Sequence, residues 1–421
     1  MIKKKGDTLL KIIFIAGIFL LPFIFWPWAV IPYEIPRVWF VQRWVEVLVG
    51  LGVVGVILGW VSLARKKTDS VLVLLVLAFL LTALASSLQG VDFTKSFWGN
   101  YYRGDGLFTL FHLVGFFFFL LLFWQKTWRK DLILALGLGA FLLSIWTIIL
   151  SFSLHALGNT RIEDWNRAVG VTFGQPVFLA GYLLVTMPVL AYLTAKAKNS
   201  RRKKFWGVAI LIQFLAIVLT LSWGAVLGIV VFLGGWFLLK RGIWIWKILI
   251  GVVALILVIG AVFWIWDSKP RFALDADGSS LVAHPESRER MWVKGLLAFR
   301  ERPLLGWGWA NFDYAFDSVV WPIKVEVDAY VDKAHSTPFE ILVTTGIVGA
   351  VVYLAIVLWA LGRLYMALKG SKGEYRMWVK TLSLVFLLYL FHSQTNVISI
   401  GEELLFWLVL GIIASEGLTP S

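Results

Sequence analysis

The chain contains 421 residues, of which 60% are hydrophobic, 16% are aromatic and 15% are charged. Soluble proteins carry about a quarter of their residues as charged side chains, so this composition excludes an ordinary soluble protein. The formal charge of +14 does not indicate nucleic-acid binding, because the Lys and Arg residues occur in short clusters between apolar runs. The absence of Cys excludes disulfides, thiolate metal sites and a Cys nucleophile.

Apolar runs of about 20 residues, the length that crosses a bilayer core, recur along the whole chain. They predict an all-α polytopic membrane protein with 12 membrane-spanning helices. The predicted spans are 12–31, 45–64, 71–88, 107–124, 132–152, 177–195, 205–221, 225–239, 243–266, 338–361, 379–392 and 404–414. The seventh and eighth spans meet at residues 222–224 as either a hairpin or one broken helix. The chain thus divides into nine spans (1–266), a long loop (267–337) and three further spans (338–421).

Lys and Arg residues are distributed unevenly between the loops on the two sides. One set of loops carries clusters such as 65–67 and 201–204, whereas the alternate short loops carry mostly isolated cations. Because loops rich in Lys and Arg stay in the cytoplasm, we expect an inner (cytoplasmic) membrane protein with both termini cytoplasmic. The loop 267–337 is then extracytoplasmic, and loops of this length usually carry function.

The five histidines all lie at the outer face on this topology. His112, His155 and His392 stand at the ends of spans, where a structural histidine bonded to the backbone is the more common case. His284 and His335 lie in the long loop.

Within the loop, the pattern of residues 285–299 predicts an amphipathic helix. The apolar face of this helix consists of Met291, Trp292, Gly295, Leu296 and Phe299. Arg288 falls in the middle of that face, whereas Arg290 and Lys294 fall outside it. A guanidinium on an apolar face needs an anionic partner. The partner is either a loop carboxylate or a phosphate, which suits the planar fork of Arg.

The segment before the tenth span carries a second candidate functional residue, His335. Thr337 as N-cap, Pro338 at the first helical position and Glu340 three residues after the cap predict a capping box. His335 then lies just before a helix N-terminus, whose positive end disfavours imidazolium and attracts anions. A neutral His335 beside a bound phosphate would be able to accept a proton. A histidine that only satisfies a turn is the alternative.

Two other patterns are assigned structural roles. Gly346 and Gly349 have the spacing that lets membrane helices approach closely. Asp275 and Asp277 mimic the Asp-x-Asp metal pair of soluble glycosyltransferases, but nucleotide-sugars are not expected on the outer side, so we interpret them as a solvated turn.

Three stretches resemble the O-antigen ligase and polymerase superfamily, membrane glycosyltransferases that include bacterial protein O-oligosaccharyltransferases. They are 167–176 (RAVGVTFGQP), 288–308, which ends in RPLLGWG, and 335–349, which begins with HSTPFE and ends in TGIVG. Between the seventh and eighth spans, where the family often has Ser-Arg-Gly, this chain has Trp223 in place of the arginine.

The resemblance implies a GT-C-like fold and a glycosyltransferase that needs neither metal nor cofactor. The donor would be a glycan on a polyprenyl diphosphate carrier, and the acceptor a hydroxyl of a lipid, a glycan or a protein. By family matching, His335 would be the catalytic base or an acceptor-orienting group. Arg288 would be the second catalytic residue, and Arg167 and Arg288 would hold the diphosphate. Arg290 and Arg103 complete the predicted diphosphate site.

Two functions from other classes remain as alternatives. A secondary transporter would show halves related by a repeat and charges near mid-membrane, whereas the polar groups here gather outside. A noncatalytic scaffold of a glycan export complex is the second alternative.

Overall fold

A computed structural model describes residues 2–63, 68–156, 169–240, 272–274, 281–283, 288–320 and 330–417. Its α-helices are α1 (Ile2–Leu20), α2 (Glu34–Ile57), α3 (Ser70–Gln89), α4 (Phe93–Trp98), α5 (Leu107–Phe123), α6 (Arg129–Ala156), α7 (Pro176–Lys196), α8 (Ser200–Leu219), α9 (Trp223–Lys240), α10 (Arg288–Glu301), α11 (Phe312–Ser318), α12 (Thr337–Gly370), α13 (Gly373–His392) and α14 (Ile400–Glu416). Short 3-10 turns cover Leu21–Phe23, Lys126–Trp128 and Val171–Phe173. Two antiparallel strands, β1 (Phe272–Leu274) and β2 (Leu281–Ala283), pair within the long loop.

The helices confirm a polytopic helical membrane protein. Six of them are long and apolar enough to cross a membrane: Lys5–Phe23, Glu34–Ile57, Ser70–Gln89, Lys126–Ser153, Pro176–Lys196 and Thr337–Gly370. The apolar helices Leu107–Phe123 and Trp223–Leu239 are shorter. The number of 12 spans stays a prediction, and the predicted ninth span (243–266) lies outside the described residues.

The core of the bundle is built on α7 and α14. Residues 179–191 of α7 and 404–414 of α14 are buried on all sides. A helix that is apolar all round belongs in an interior rather than at a surface. The helix α14 packs on α5, α7 on α8 and α13, and α12 on α3.

The seventh and eighth predicted spans form a hairpin rather than one broken helix. In α8, Gln213 Nε2 donates a hydrogen bond of 2.8 Å to the carbonyl of Leu183. In α9, Gly228 lies against the side chain of Leu184. A continuous helix would separate residues 213 and 228 by about 22 Å, so contacts with adjacent residues of α7 require the chain to turn back. Leu221 takes φ +53° at the turn.

The helix α12 is broken at Gly346, which has φ +66° and ψ −169°. The segment 303–308 fills the break. The amide groups of Trp307 and Gly308 donate to carbonyls 343 and 344, and the amide of Ile347 donates to the carbonyl of Pro303 at 2.8 Å. Broken backbone at membrane depth is tolerated where other parts of the protein satisfy its polar groups. Gly346 is therefore required by the backbone, and its predicted role in close helix packing is wrong.

Candidate functional site

A cavity lies at one end of the bundle, which we call the loop end. Its lining includes Glu34 of α2, Thr109 of α5, Thr337 of α12 and Ile400 of α14, all in the first turn of their helices. The N-terminus of a helix carries a partial positive charge and free amide groups, which attract anions. Four such ends around one cavity favour a negatively charged ligand. The lining also carries the carboxylates of Glu34, Asp105, Glu340 and Glu403, of which Glu34 is paired with Arg37, and Asp105 and Glu340 are paired with Lys333.

The deeper wall of the cavity is apolar. It is formed by Phe79, Leu110, Leu113, Ile341, Ile356, Phe406 and Trp407, together with Tyr353 and Tyr389. Ile356 lies 19 residues after the start of α12, so this wall extends well into the bundle. A polar mouth above an apolar interior suits a ligand with a charged head and a hydrocarbon tail.

His335 lines the mouth of the cavity in an unusual backbone conformation, with φ +53°. The carbonyl of the preceding Ala334 accepts a 2.9 Å hydrogen bond from Trp292 Nε1. The amide of Ala334 donates to Glu340 Oε2 at 2.7 Å. A positive φ costs a non-glycine residue of the order of 1 kcal/mol or more, and such strain clusters at functional sites.

The predicted capping box differs from the observed helix start. The N-cap of α12 is Ser336 rather than Thr337, and its side chain makes no capping hydrogen bond. Glu340 does not return to the cap, because its carboxylate bonds instead to the amide of Ala334 and to Lys333 Nζ at 3.2 Å. The sequence thus located the helix start within one residue but assigned Glu340 the wrong partner.

Lys333 links two separate segments at the cavity mouth. Its ammonium forms an ion pair with Asp105 and another with Glu340. Burial alone would lower the pKa of Lys333, but the two carboxylates outweigh burial and raise it. Burial would raise the pKa of Asp105, but Lys333 outweighs it and lowers that pKa. Both groups are therefore charged at neutral pH.

Replacing Lys333 by Met is expected to lower the free energy of unfolding by about 3 kcal/mol, because two buried carboxylates lose their partner. Thermal unfolding in detergent measures this. The ion pair of Asp105 with Lys333 contributes to the free energy of unfolding above about pH 4, the ordinary pKa of Asp. This contribution is lost as the pH falls through the lowered pKa of Asp105. Lys11→Met is the control, since its pair with Asp131 is more exposed and should contribute less than about 1 kcal/mol. Equal stability of both variants would contradict the assignment.

Arg103 lines the same cavity and is held by Asp332. Arg103 Nε lies 2.6 Å from Asp332 Oδ2, and Nη2 lies 3.2 Å from Oδ1. Burial would lower the pKa of Arg103, but Asp332 outweighs burial and raises it. Within the described part of the chain, Nη1 makes no hydrogen bond. A fixed guanidinium with free donors at a cavity is a ready anion contact.

Arg37 and Glu34 form a network that fixes the segment after residue 168, and the sequence did not indicate this network. Arg37 is fully buried, donates to the carbonyl of Thr172 at 2.7 Å and to Glu34 Oε2 at 2.9 Å, and lies over the ring of Phe173. Glu34 Oε1 accepts the amide of Ile400 at 2.6 Å. This network ties the described part of the stretch 167–176 to the starts of α2 and α14.

The arginines of α10 are placed differently from the prediction. Arg288 is exposed and makes no ion pair or hydrogen bond with any described residue. Arg290 and Lys294 are buried instead, with their charged groups 5.0 Å and 3.9 Å from the ring centre of Phe316. The predicted apolar face is correct for Met291 and Gly295, which are buried, but wrong for Trp292 and Leu296, which are exposed. Cation–π contact lets the long side chains of Arg290 and Lys294 pack inside the small loop core instead.

Neither Arg288 nor Arg290 lines the cavity. Arg288 lies one helical turn before Trp292, whose indole bonds the carbonyl next to His335. The structure thus brings His335 and Arg103 to one cavity and leaves Arg288 beside its mouth. Arg167 lies outside the described residues, as do Asp275, Asp277 and His284.

The remaining candidates of the sequence do not line the cavity. His392 Nδ1 lies 3.0 Å from Glu402 Oε1, and both side chains are fully buried. His112 Nε2 lies 2.9 Å from Glu46 Oε1. Trp223 is 71% exposed. His112 Nδ1 also lies 2.6 Å from the carbonyl of Phe108, as expected of a histidine bonded to the backbone, whereas His392 faces a buried carboxylate instead.

Residues 207–354 match a family model described as O-antigen ligase. The match confirms the resemblance to the O-antigen ligase and polymerase superfamily. It spans α10, the break in α12 and His335. No curated protein sequence matches the chain. The cavity at the loop end, which is partly lined by residues of the matched segment, is the candidate active site.

Proposed function

We propose that this protein transfers a glycan from a polyprenyl diphosphate carrier to an acceptor hydroxyl at the extracytoplasmic face of the membrane. The observation that carries the proposal is the two-part cavity. Its mouth gathers His335, Arg103 and four helix N-termini, which suit a diphosphate, and its apolar interior suits an isoprenoid chain. The distribution of Lys and Arg supports the assignment of the loop end to the outer side.

In this proposal, His335 removes the proton of the acceptor hydroxyl as its oxygen attacks the anomeric carbon of the donor sugar. The bond between that carbon and the diphosphate oxygen breaks, and polyprenyl diphosphate leaves with the bonding electrons. Arg103 and the helix N-termini stabilise the charge that develops on the leaving diphosphate. Arg288 and Arg167 are assigned to the same diphosphate from the family pattern, whereas Arg290 is buried against Phe316 in the loop core.

Reconstitution tests the proposed reaction. Purified protein in vesicles is given a polyprenyl-diphosphate-linked glycan with a lipid, a glycan or a protein acceptor, and mass spectrometry follows acceptor and carrier. We expect one glycosylated acceptor and an equal amount of free polyprenyl diphosphate, and the acceptor used separates ligase, polymerase and protein-glycosylating activities. Movement of the intact donor or glycan across the vesicle without a new bond would overturn the proposal in favour of a transporter.

Replacing Arg103 by Lys is expected to raise the KM for the lipid-linked donor about tenfold, because the charge remains but the fork and its free Nη1 donors are lost. Steady-state kinetics on the reconstituted protein measure this. Arg43→Lys is the control, since Arg43 is exposed on α2 and pairs with Glu46 at 2.7 Å. An unchanged KM for the Arg103 variant would remove Arg103 from the diphosphate site.

A further inference from the structure

A second, shallow pocket at the loop end is lined by exposed aromatic rings. Trp98, Tyr101, Tyr102 and Tyr330 line it and are 55–66% exposed. Asp92, Lys95 and Asn100 supply polar groups to the same lining. We call this the aromatic pocket. Neither the family pattern nor the proposed chemistry uses it.

One tight turn connects the aromatic pocket to the cavity. The amide of Asn100 donates to Asp105 Oδ1 and the amide of Tyr102 donates to Asn100 Oδ1, each at 2.9 Å. Gly99, at φ +86°, packs so closely on residues 105 and 106 that no side chain would fit. Tyr101 and Tyr102 therefore face the aromatic pocket, whereas residues 103 and 105 of the same turn line the cavity.

The opposite wall is fixed to the same turn. The Tyr330 hydroxyl accepts a hydrogen bond from Asn100 Nδ2 at 2.9 Å and donates one to Asp313 Oδ2 at 2.8 Å. Tyr330 is two residues before Asp332, the partner of Arg103. The Tyr330 ring is thus held in place before any ligand binds, which lowers the entropic cost of binding.

We propose that the aromatic pocket binds the glycan of the lipid-linked donor, a neutral or weakly charged carbohydrate chain. Aromatic rings stack on the apolar faces of sugar rings, while the partly exposed carboxylate of Asp92 accepts hydrogen bonds from hydroxyl groups. The shared turn places this chain next to the cavity that takes the diphosphate. The inference rests on the proposed function and deepens it.

An aromatic belt at the membrane surface is the competing explanation for exposed rings. A belt consists of single rings on lipid-facing surfaces. Trp28, which is 87% exposed in the connection between α1 and α2, is an exposed ring outside the aromatic pocket and serves for comparison. The aromatic pocket differs because its rings surround charged and amide side chains. Asp92 also accepts hydrogen bonds from the amide of Lys95 and the hydroxyl of Tyr314. These polar groups favour a carbohydrate over lipid chains.

Binding of delipidated surface polysaccharide from the native host tests the inference by calorimetry on the full chain in detergent. We expect Trp98→Ala and Tyr102→Ala each to weaken binding about three- to tenfold, and the control Trp28→Ala to leave it unchanged. Equal affinity of parent and pocket variants would overturn the inference. Brominated phospholipid is the second probe. If brominated phospholipid quenches the tryptophan fluorescence of the parent and this quenching is lost in Trp98→Phe, the Trp98 ring lies in the bilayer. That result would also overturn the inference.

Kinetics separate this inference from the proposed reaction. With a donor that carries a long glycan, Tyr102→Ala should raise the KM more than it does with a donor that carries one sugar. An equal effect on both donors would overturn glycan binding while leaving the transfer reaction standing. Parental protein that transfers glycan from neither donor would refute the proposed function. The calorimetric comparison would still decide whether the aromatic pocket binds glycan.

Discussion

Replacement of His335 by Asn is expected to slow glycan transfer at least about 100-fold, the smallest contribution typical of a general base. The reconstituted transfer rate at saturating donor measures this effect. Asn is chosen because it tolerates a positive φ better than most residues, so the backbone at φ +53° is preserved. The loss would then report the missing proton acceptor rather than a displaced loop.

Two controls make the His335 result interpretable. His335→Gly removes the strain at this position and is expected to match or exceed the parental thermal stability, by up to about 1 kcal/mol, while transfer is still lost. His112→Asn changes a histidine at the same end of the bundle that does not line the cavity, and it should retain transfer. Transfer at the parental rate by a folded His335→Asn protein would contradict the mechanism.

Gly346→Ala is expected to destabilise the protein by at least about 3 kcal/mol and to reduce the yield of folded protein. The residue has φ +66° and ψ −169°, a conformation that is essentially restricted to glycine. An added Cβ would also overlap the backbone of Leu304 and Leu305, which cross the helix break. Because this segment leads from α10 to the cavity, the site would be disturbed together with the fold. Thermal unfolding in detergent and size-exclusion chromatography measure the effect.

The same helix offers a matched control for Gly346. Gly362 lies in the regular part of α12, where an added Cβ would meet no atom within 4 Å. Gly362→Ala should therefore leave stability equal or improve it by about 0.5–1 kcal/mol. A Gly346→Ala protein as stable as Gly362→Ala would show that the break in α12 does not require glycine.

Local patterns were sufficient to predict some elements. The start of α12 follows from Pro338 and its polar neighbours, and α10 follows from the apolar period of residues 285–299. The buried face of α10 differs from the prediction because the periodicity placed Arg290 and Lys294 off the apolar face. In the structure, Phe316, which lies on another helix, accepts Arg290 and Lys294. A periodicity argument contains no information about such a partner.

The ion pairs of the cavity mouth were beyond sequence reasoning for a related reason. Arg103 and Asp332 are 229 positions apart, and other pairs that join the turn 99–105 to the segment 330–337 are similarly distant in the chain. No local spacing connects them, and adjacent charges such as Asp332 and Lys333 are typical of a solvated loop. His335 was identified because its signal is local, since it precedes a helix start by two residues.

Protection of a single cysteine tests most directly whether the donor lipid occupies the cavity. The chain has no Cys, so Thr337→Cys places one thiol on the cavity lining and Ser318→Cys places one on an exposed loop helix as control. We expect polyprenyl diphosphate to slow labelling at position 337 by a water-soluble thiol reagent at least tenfold, and to leave position 318 unaffected. Unchanged labelling at position 337, in a preparation that still transfers glycan, would contradict the assignment of the active site to this cavity.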